Sequence, residues 1–190
     1  QNGKVVGVAL ADDTLLEAPV IASSIDANQT FLRMLNLGDL PAEFREAVQA
    51  IDYSSASLKM NVALSELPEF TCLPGKSPGA HHRGTIHICE TLDWMEQAFD
   101  DAKYGRPSNQ PILEITLPSV VDPTVAPPGQ HVMNLFIQYA PYKLADGKSW
   151  DVIKEEFGDR CLDLLAKYAP NIKNAVLHRQ ITLQITQPAD

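Results

Sequence analysis

Between residues 57 and 65 apolar and polar positions alternate, with Leu58, Met60, Val62 and Leu64 set between Lys59, Asn61, Ala63 and Ser65. A repeat of two puts every second side chain on one face of an extended chain, so this segment reads as a half-buried strand. Residues 4–10 are rich in valine, and residues 14–18 can return beside them across the Asp12-Asp13 turn as a β-hairpin. After Pro19, the short run Val20-Ile21-Ala22 suits a third strand that ends in Ser23-Ser24. Further strands are expected at residues 84–89, 112–117, 131–139 and 181–185.

Elsewhere the period lengthens. A short helix capped by Asp26 or Asn28 is predicted through Phe31 and Leu35, ending at Leu37-Gly38. Asp39 as cap and Pro41 in the first turn announce a second helix, with Phe44, Ala47, Val48 and Ile51 on its inward face. Met95, Ala98, Phe99 and Ala102 share a face of a helix over residues 91–104, closed by Gly105. The clearest helix follows Ser149: Trp150, Ile153, Phe157, Cys161, Leu164, Leu165 and Tyr168 form one stripe, Asp151 suits the positive end of the dipole, and Pro170 closes it. A helical turn around Ile172 precedes the last strand.

Residues 66–83 contain Pro68, Pro74, Gly75, Pro78 and Gly79 and read as a long loop, while the proline-rich stretch 122–129 is a rigid turn that lets strands 112–117 and 131–139 pair antiparallel. Strands and helices do not alternate regularly, which excludes a doubly wound parallel sheet. The predicted class is α+β, a mixed and largely antiparallel sheet with helices on one face.

Twenty-four acidic and fifteen basic side chains give a formal charge of -9 over 190 residues, and no basic cluster interrupts that balance, so no nucleic-acid partner is expected. Cys72, Cys89 and Cys161 are too few and too irregularly spaced for a disulfide scaffold, which points to a reducing compartment. No apolar run approaches the ~20 residues of a membrane span. Gln1-Asn2-Gly3 leads almost directly into the hairpin, and both ends of the chain read as cuts.

His81, His82, His87 and Cys89 are the densest set of potential metal ligands, yet no second ligand pair accompanies them, and no metal site is expected. There is no Gly-x-Ser-x-Gly elbow, and Cys161 falls on an apolar helical stripe where a thiol is packing. Neither Gly-x-Gly-x-x-Gly nor Gly-x-x-x-x-Gly-Lys-Ser/Thr occurs, so the usual phosphate cradles are missing and no catalytic residue is assigned. Met133, Leu135 and Ile137 read first as core; such an apolar row can also line a cavity for a lipophilic substrate.

Several segments, in order, resemble the flavoprotein family of phytoene desaturases and amine oxidases. They are Gly3-Lys4-Val5-Val6-Gly7-Val8-Ala9-Leu10-Ala11-Asp12; Val20-Ile21-Ala22-Ser23-Ser24-Ile25-Asp26 followed by Thr30-Phe31-Leu32; Asp122-Pro123-Thr124-Val125-Ala126-Pro127-Pro128-Gly129-Gln130-His131-Val132; and Gln138-Tyr139-Ala140-Pro141-Tyr142. Asp13 stands where the family's hairpin commonly has Gly, and Ser24 and Ala27 stand where its turn often has Asn and Pro. The resemblance implies that residues 1–36 end a cofactor-domain segment and that residues 37–190 form a substrate-binding domain. It implies FAD in the intact protein, with none bound to this chain alone, because the family's main flavin-binding segments lie outside it. Ser23 and Ser24 would neighbour the flavin, and His81, His82, Met133 and Leu135 would face the substrate.

The implied activity of the intact protein is a flavin-mediated desaturation, saturation or dehydrogenation of a lipophilic substrate, with this piece inactive in isolation. Its partner would be the missing flavin-binding portion of the same chain, and the surface that portion covers would let the isolated piece self-associate. The resemblance further implies an intracellular setting, bacterial cytoplasm or mitochondrial matrix. A non-catalytic protein-interaction domain using loop 66–83 is the competing reading, and a metal enzyme built on the histidine loop is a weaker third.

Overall fold

The structure, a computed structural model, describes residues 3–51 and 57–183. The described residues 3–51 fall in one compact unit and residues 57–183 in another.

In the first unit β1 (Gly7–Ala9) pairs antiparallel with β2 (Leu15–Glu17), Gly7 lying opposite Glu17 and Ala9 opposite Leu15. The turn between them is held by Asp12, whose Oδ1 accepts the Thr14 backbone N–H at 3.0 Å, and it puts Asp13 at φ 65°. That left-handed conformation favours glycine and tolerates Asp. Gly7 is required for another reason: a Cβ there would lie 2.5 Å from the carbonyl oxygen of Leu16.

Three expectations need correcting in this unit. Residues 20–22 belong to no strand, because no described segment pairs with them. The short helix forms at its expected start, Asp26 Oδ1 accepting the Gln29 N–H at 2.9 Å, but it is a π-helical turn at Gln29–Arg33 that stops before Leu35, and Leu37–Asp39 is a separate 3-10 turn. Asp39 therefore does not cap α1 (Ala42–Gln49), which follows Pro41 directly and buries Val48 while leaving Phe44 and Ile51 exposed. Phe44 instead meets Phe31 edge to face, ring centres 5.0 Å apart.

The second unit contains β3 (Ser57–Leu64), β4 (Ile86–Ile88), α2 (Leu92–Lys103), β5 (Ile112–Thr116), α3 (Pro118–Val121), β6 (His131–Gln138), α4 (Trp150–Ala166), α5 (Ile172–Ala175) and β7 (Val176–Leu183). The strands form one sheet in the order β4-β5-β6-β3-β7, and every pairing is antiparallel. The α+β class holds, without a parallel pair.

Residues directly opposite each other in such a sheet share a face. Leu58, Met60 and Val62 lie opposite Ile137, Leu135 and Met133, and Leu113 and Ile115 continue the first two of these three rows on β5; all are buried. Trp94, Ala98, Phe157, Cys161 and Leu165 from α2 and α4 complete this core. Arg179, opposite Val62 on the same face, donates to Glu155 Oε2 at 2.7 Å and Asp159 Oδ1 at 2.6 Å, which fixes α4 on that side.

Differences from the expected elements are local. α2 turns by about one residue, burying Trp94 and Ala98 and exposing Met95 and Phe99, because the Trp94 indole N–H donates to Gln110 O at 2.6 Å. The last strand starts at Val176 instead of Ile181, and the expected residues 184 and 185 lie outside the described residues. Ser149 caps α4 as expected, its Oγ accepting the Asp151 N–H at 3.1 Å.

Candidate functional site

Each unit offers one surface of interest. In the first, β1, the segment after Pro19 and the π-helical turn enclose a cavity of about 630 Å³, within the range usual for ligand sites, ~300–1,000 Å³. Val5, Val8, Ile21, Ile25, Phe31, Met34 and Leu35 make its lining mainly apolar. The hydroxyls of Ser23 and Thr30 supply the polar point, 2.8 Å apart, with Thr30 Oγ1 also donating to the Ile25 carbonyl at 3.4 Å. Ser24 is exposed and is not among the lining residues. No lysine or arginine lines the space, so it suits the uncharged part of a ligand better than a diphosphate.

In the second unit the sheet face opposite α4 is not part of the packed core. Lys59, Asn61, Glu114, Thr116, Asn134 and Phe136 are all half-buried there. A cavity of about 320 Å³ lies over this face, lined by Lys59, Thr85, Glu114, Thr116, Asn134, Leu135 and Phe136. Register aligns the polar groups in rows: Gln180, Asn61, Asn134 and Thr116 in one, Lys59, Phe136, Glu114 and His87 in the next.

Of the residues expected to face substrate, Leu135 borders that cavity. Met133 and Leu135 are wholly buried on the helix-covered face. His82 is buried inside loop 66–83, where Nδ1 accepts the Gly79 N–H at 3.0 Å and Nε2 donates to Pro68 O at 3.1 Å. Those bonds clasp the loop shut and fix the tautomer. His81 stacks on it with ring centres 3.9 Å apart, and burial, together with the neighbouring His82, holds its imidazole below the ordinary histidine value. Among the described residues no group of three or more His, Cys, Asp or Glu is placed to hold a metal ion.

A mouse protein, pyridine nucleotide-disulfide oxidoreductase domain-containing protein 2, is 41% identical to the chain over 185 residues, covering 95% of it. The rat protein of the same name matches equally well, 41% over 185 residues. The chain is similar to both over nearly its whole length. Phytoene desaturase (neurosporene-forming) of Cereibacter sphaeroides is a more distant relative, 23% identical over 172 residues, or 90% of this chain and 32% of its own length. Prolycopene isomerase of Daucus carota is 25% identical over 187 residues, or 95% of this chain and 27% of its own length. No family model matches. A solved Pyrococcus furiosus protein aligns over 94% of the chain and 34% of its own length with a TM-score of 0.43 and 14% identity, too loose a likeness to argue from.

These relatives are the oxidoreductase and phytoene desaturase-like proteins that the sequence resembles. The chain spans about a third of the mouse protein, 32% of its length. No helix among the described residues is long and apolar enough to cross a membrane. The hairpin and residues 21–35 form the cavity of the first unit, and the half-buried sheet face is the second candidate surface. Thr30, Lys59, Asn61, Asn134 and Phe136 were not singled out in advance. The alternation that marks β3 as half-buried already contains Lys59 and Asn61, but their proximity to Asn134 and Phe136 depends on strand pairing.

Proposed function

We propose that this chain is the substrate-binding section, with one cofactor-contacting edge, of a flavin-dependent oxidoreductase that acts on a lipophilic substrate. The observation that carries this reading is the cavity beside Ser23, a mainly apolar space of about 630 Å³ with hydroxyls at one point. It fits an uncharged end of FAD, with Ser23 and Thr30 offering hydrogen bonds and Val5, Val8 and Phe31 packing against it; Ser24 is proposed only as a near neighbour. The diphosphate would be held by other parts of the full-length protein, since this lining has no cationic group and the sequence no glycine-rich cradle. When bound, the flavin supplies hydride abstraction or return at a carbon-carbon or carbon-heteroatom bond.

The contribution of this chain is binding and exclusion of water. Phe136 offers a flat apolar contact on the open sheet face, and the clasped loop 66–83 leads into β4 beside Thr85 at the cavity rim. Substrate-facing roles pass in this reading to the half-buried residues of that face, with His81 kept as a candidate at the loop. Free Cys72, Cys89 and Cys161 support a reducing, intracellular setting such as bacterial cytoplasm or mitochondrial matrix. Apolar groups left exposed in the first unit, among them Val8, Leu15, Leu16 and Val20, support a covering flavin-binding portion of the same protein and self-association of the chain without it.

The test is to purify the full-length protein beside this chain, record visible spectra, and release any flavin by denaturation. Flavin in the full-length protein that falls on Ser23→Leu substitution is the expected result. A folded full-length protein without flavin would overturn the reading and favour a protein-interaction domain.

A further inference from the structure

We infer that the open sheet face of the second unit selects a ligand bearing a carboxylate on an apolar body; this rests on that face being the substrate surface. Lys59 lies on the central strand β3, half-buried, at the edge of the cavity of about 320 Å³. None of the ion pairs among the described residues involves it. That leaves a cation without a partner in a protein whose formal charge is -9.

Two residues along the same face, Asn61 lies opposite Asn134 on β6, and Asn61 Oδ1 is buried with no hydrogen-bond partner. Phe136 lies directly opposite Lys59 on β6, and both border the cavity. Glu114 follows on the next strand, its carboxylate accepting from Gln138 Nε2 at 3.4 Å. Neighbouring strands are ~4.8 Å apart, which puts Lys59 and Glu114 about 10 Å from one another across Phe136.

Four ligand chemistries can be compared on this surface. A hydrocarbon would strip water from the ammonium and both amides and give nothing back. A cation would be repelled by Lys59. A neutral alcohol satisfies an amide and leaves the ammonium unpaired. A carboxylic acid meets the charged member of the set: its carboxylate takes the Lys59 ammonium and an Asn134 amide N–H as charge-assisted bonds, and its apolar body lies over Phe136, while the acceptor Asn61 Oδ1 receives nothing from it. Glu114 repels the carboxylate from the far side, so the acid end is held towards β3 and one orientation is favoured.

The experiment measures binding to the full-length protein by calorimetry, using decanoate against decanol and cinnamate against cinnamyl alcohol, with Lys59→Met, Lys59→Arg and Lys59→Gln variants checked for native circular dichroism. The acid of each pair is expected to bind roughly 10- to 100-fold more tightly than its alcohol, from one charge-assisted contact. Lys59→Met should abolish that preference and Lys59→Arg keep it, with Lys59→Gln standing in for a methionine variant that does not fold. Equal affinity for acid and alcohol, or a preference that survives Lys59→Met or Lys59→Gln, would overturn the carboxylate inference and leave the substrate surface in place. If none of the probes binds, the substrate surface itself is overturned along with it.

Discussion

Ser119 Oγ lies 3.2 Å from His131 Nδ1 and at the same time accepts the backbone N–H of Val132 at 3.0 Å. The hydroxyl joins the Val132 amide and the His131 imidazole at a single point. One buried side chain thus anchors the start of β6 to α3 after the proline-rich turn. Removing it in Ser119→Ala leaves a backbone donor without a partner at the first pairs of the strand. The expected loss is about 1–3 kcal/mol, the usual result of orphaning a buried donor, read as a lower urea midpoint with an unchanged slope.

The same pair gives the fold a pH dependence. Burial holds the His131 imidazole below the ordinary histidine value of about 6.5. His81 is shifted in the same direction, first by burial and then by His82. Both histidines therefore take up protons more readily in the unfolded chain than in the native one. Stability is full above about pH 6.5 and is lost as the pH falls from there through the lower native values. Urea titrations at neutral and mildly acidic pH should show this decline, and His131→Gln should make it shallower. A midpoint that does not move across this range would contradict the burial of these rings.

Gly7 has no room for a side chain. A Cβ placed there meets a backbone carbonyl oxygen at 2.5 Å, and backbone cannot swing aside as the end of a long side chain can. Gly7→Ala should separate β1 from β2 and cost about 1–3 kcal/mol, the usual range for overpacking. Faster trypsin cleavage at Lys4, compared with the parent chain, is the measurement; the site lies in the same unit, upstream of β1.

The cysteines should separate by reactivity. Cys161 is fully buried between α4 and the sheet, and burial pushes its thiol up to about 12. Cys72 is exposed. Since the thiolate is the attacking form, a disulfide reagent at mildly alkaline pH should label Cys72 quickly and reach Cys161 only on unfolding. Rapid native labelling of a Cys72→Ser, Cys89→Ser double variant would show that Cys161 is not packed as the structure has it.

Much of the second unit was legible from periodicity, because its elements bury one face and the pattern of that face survives in sequence. Leu58, Met60, Val62 and Leu64 are all buried, as their alternation requires, and the stripe of α4 holds Trp150, Phe157, Cys161, Leu164 and Leu165. The first unit was less legible: Phe44 and Ile51 suggest an inward helical face and are exposed, and Val20-Ile21-Ala22 has strand composition without a partner. Short apolar runs become strands only when another segment supplies the hydrogen bonds.

The sequence by itself determined the α+β class, the antiparallel pairing of β5 with β6, the capped helix α4 and the oxidoreductase resemblance. All of these follow from local pattern or from words that can be read in order along the chain. Only the tertiary structure decided that Met133 and Leu135 sit in the core, that His82 clasps its own loop, and that Lys59 lies beside Phe136 and Asn61 beside Asn134. The His82 clasp depends on how its own loop closes, whereas the others depend on the register of β3 against β6, segments about seventy residues apart, and a shift of a single residue would turn each of those strand side chains to the opposite face.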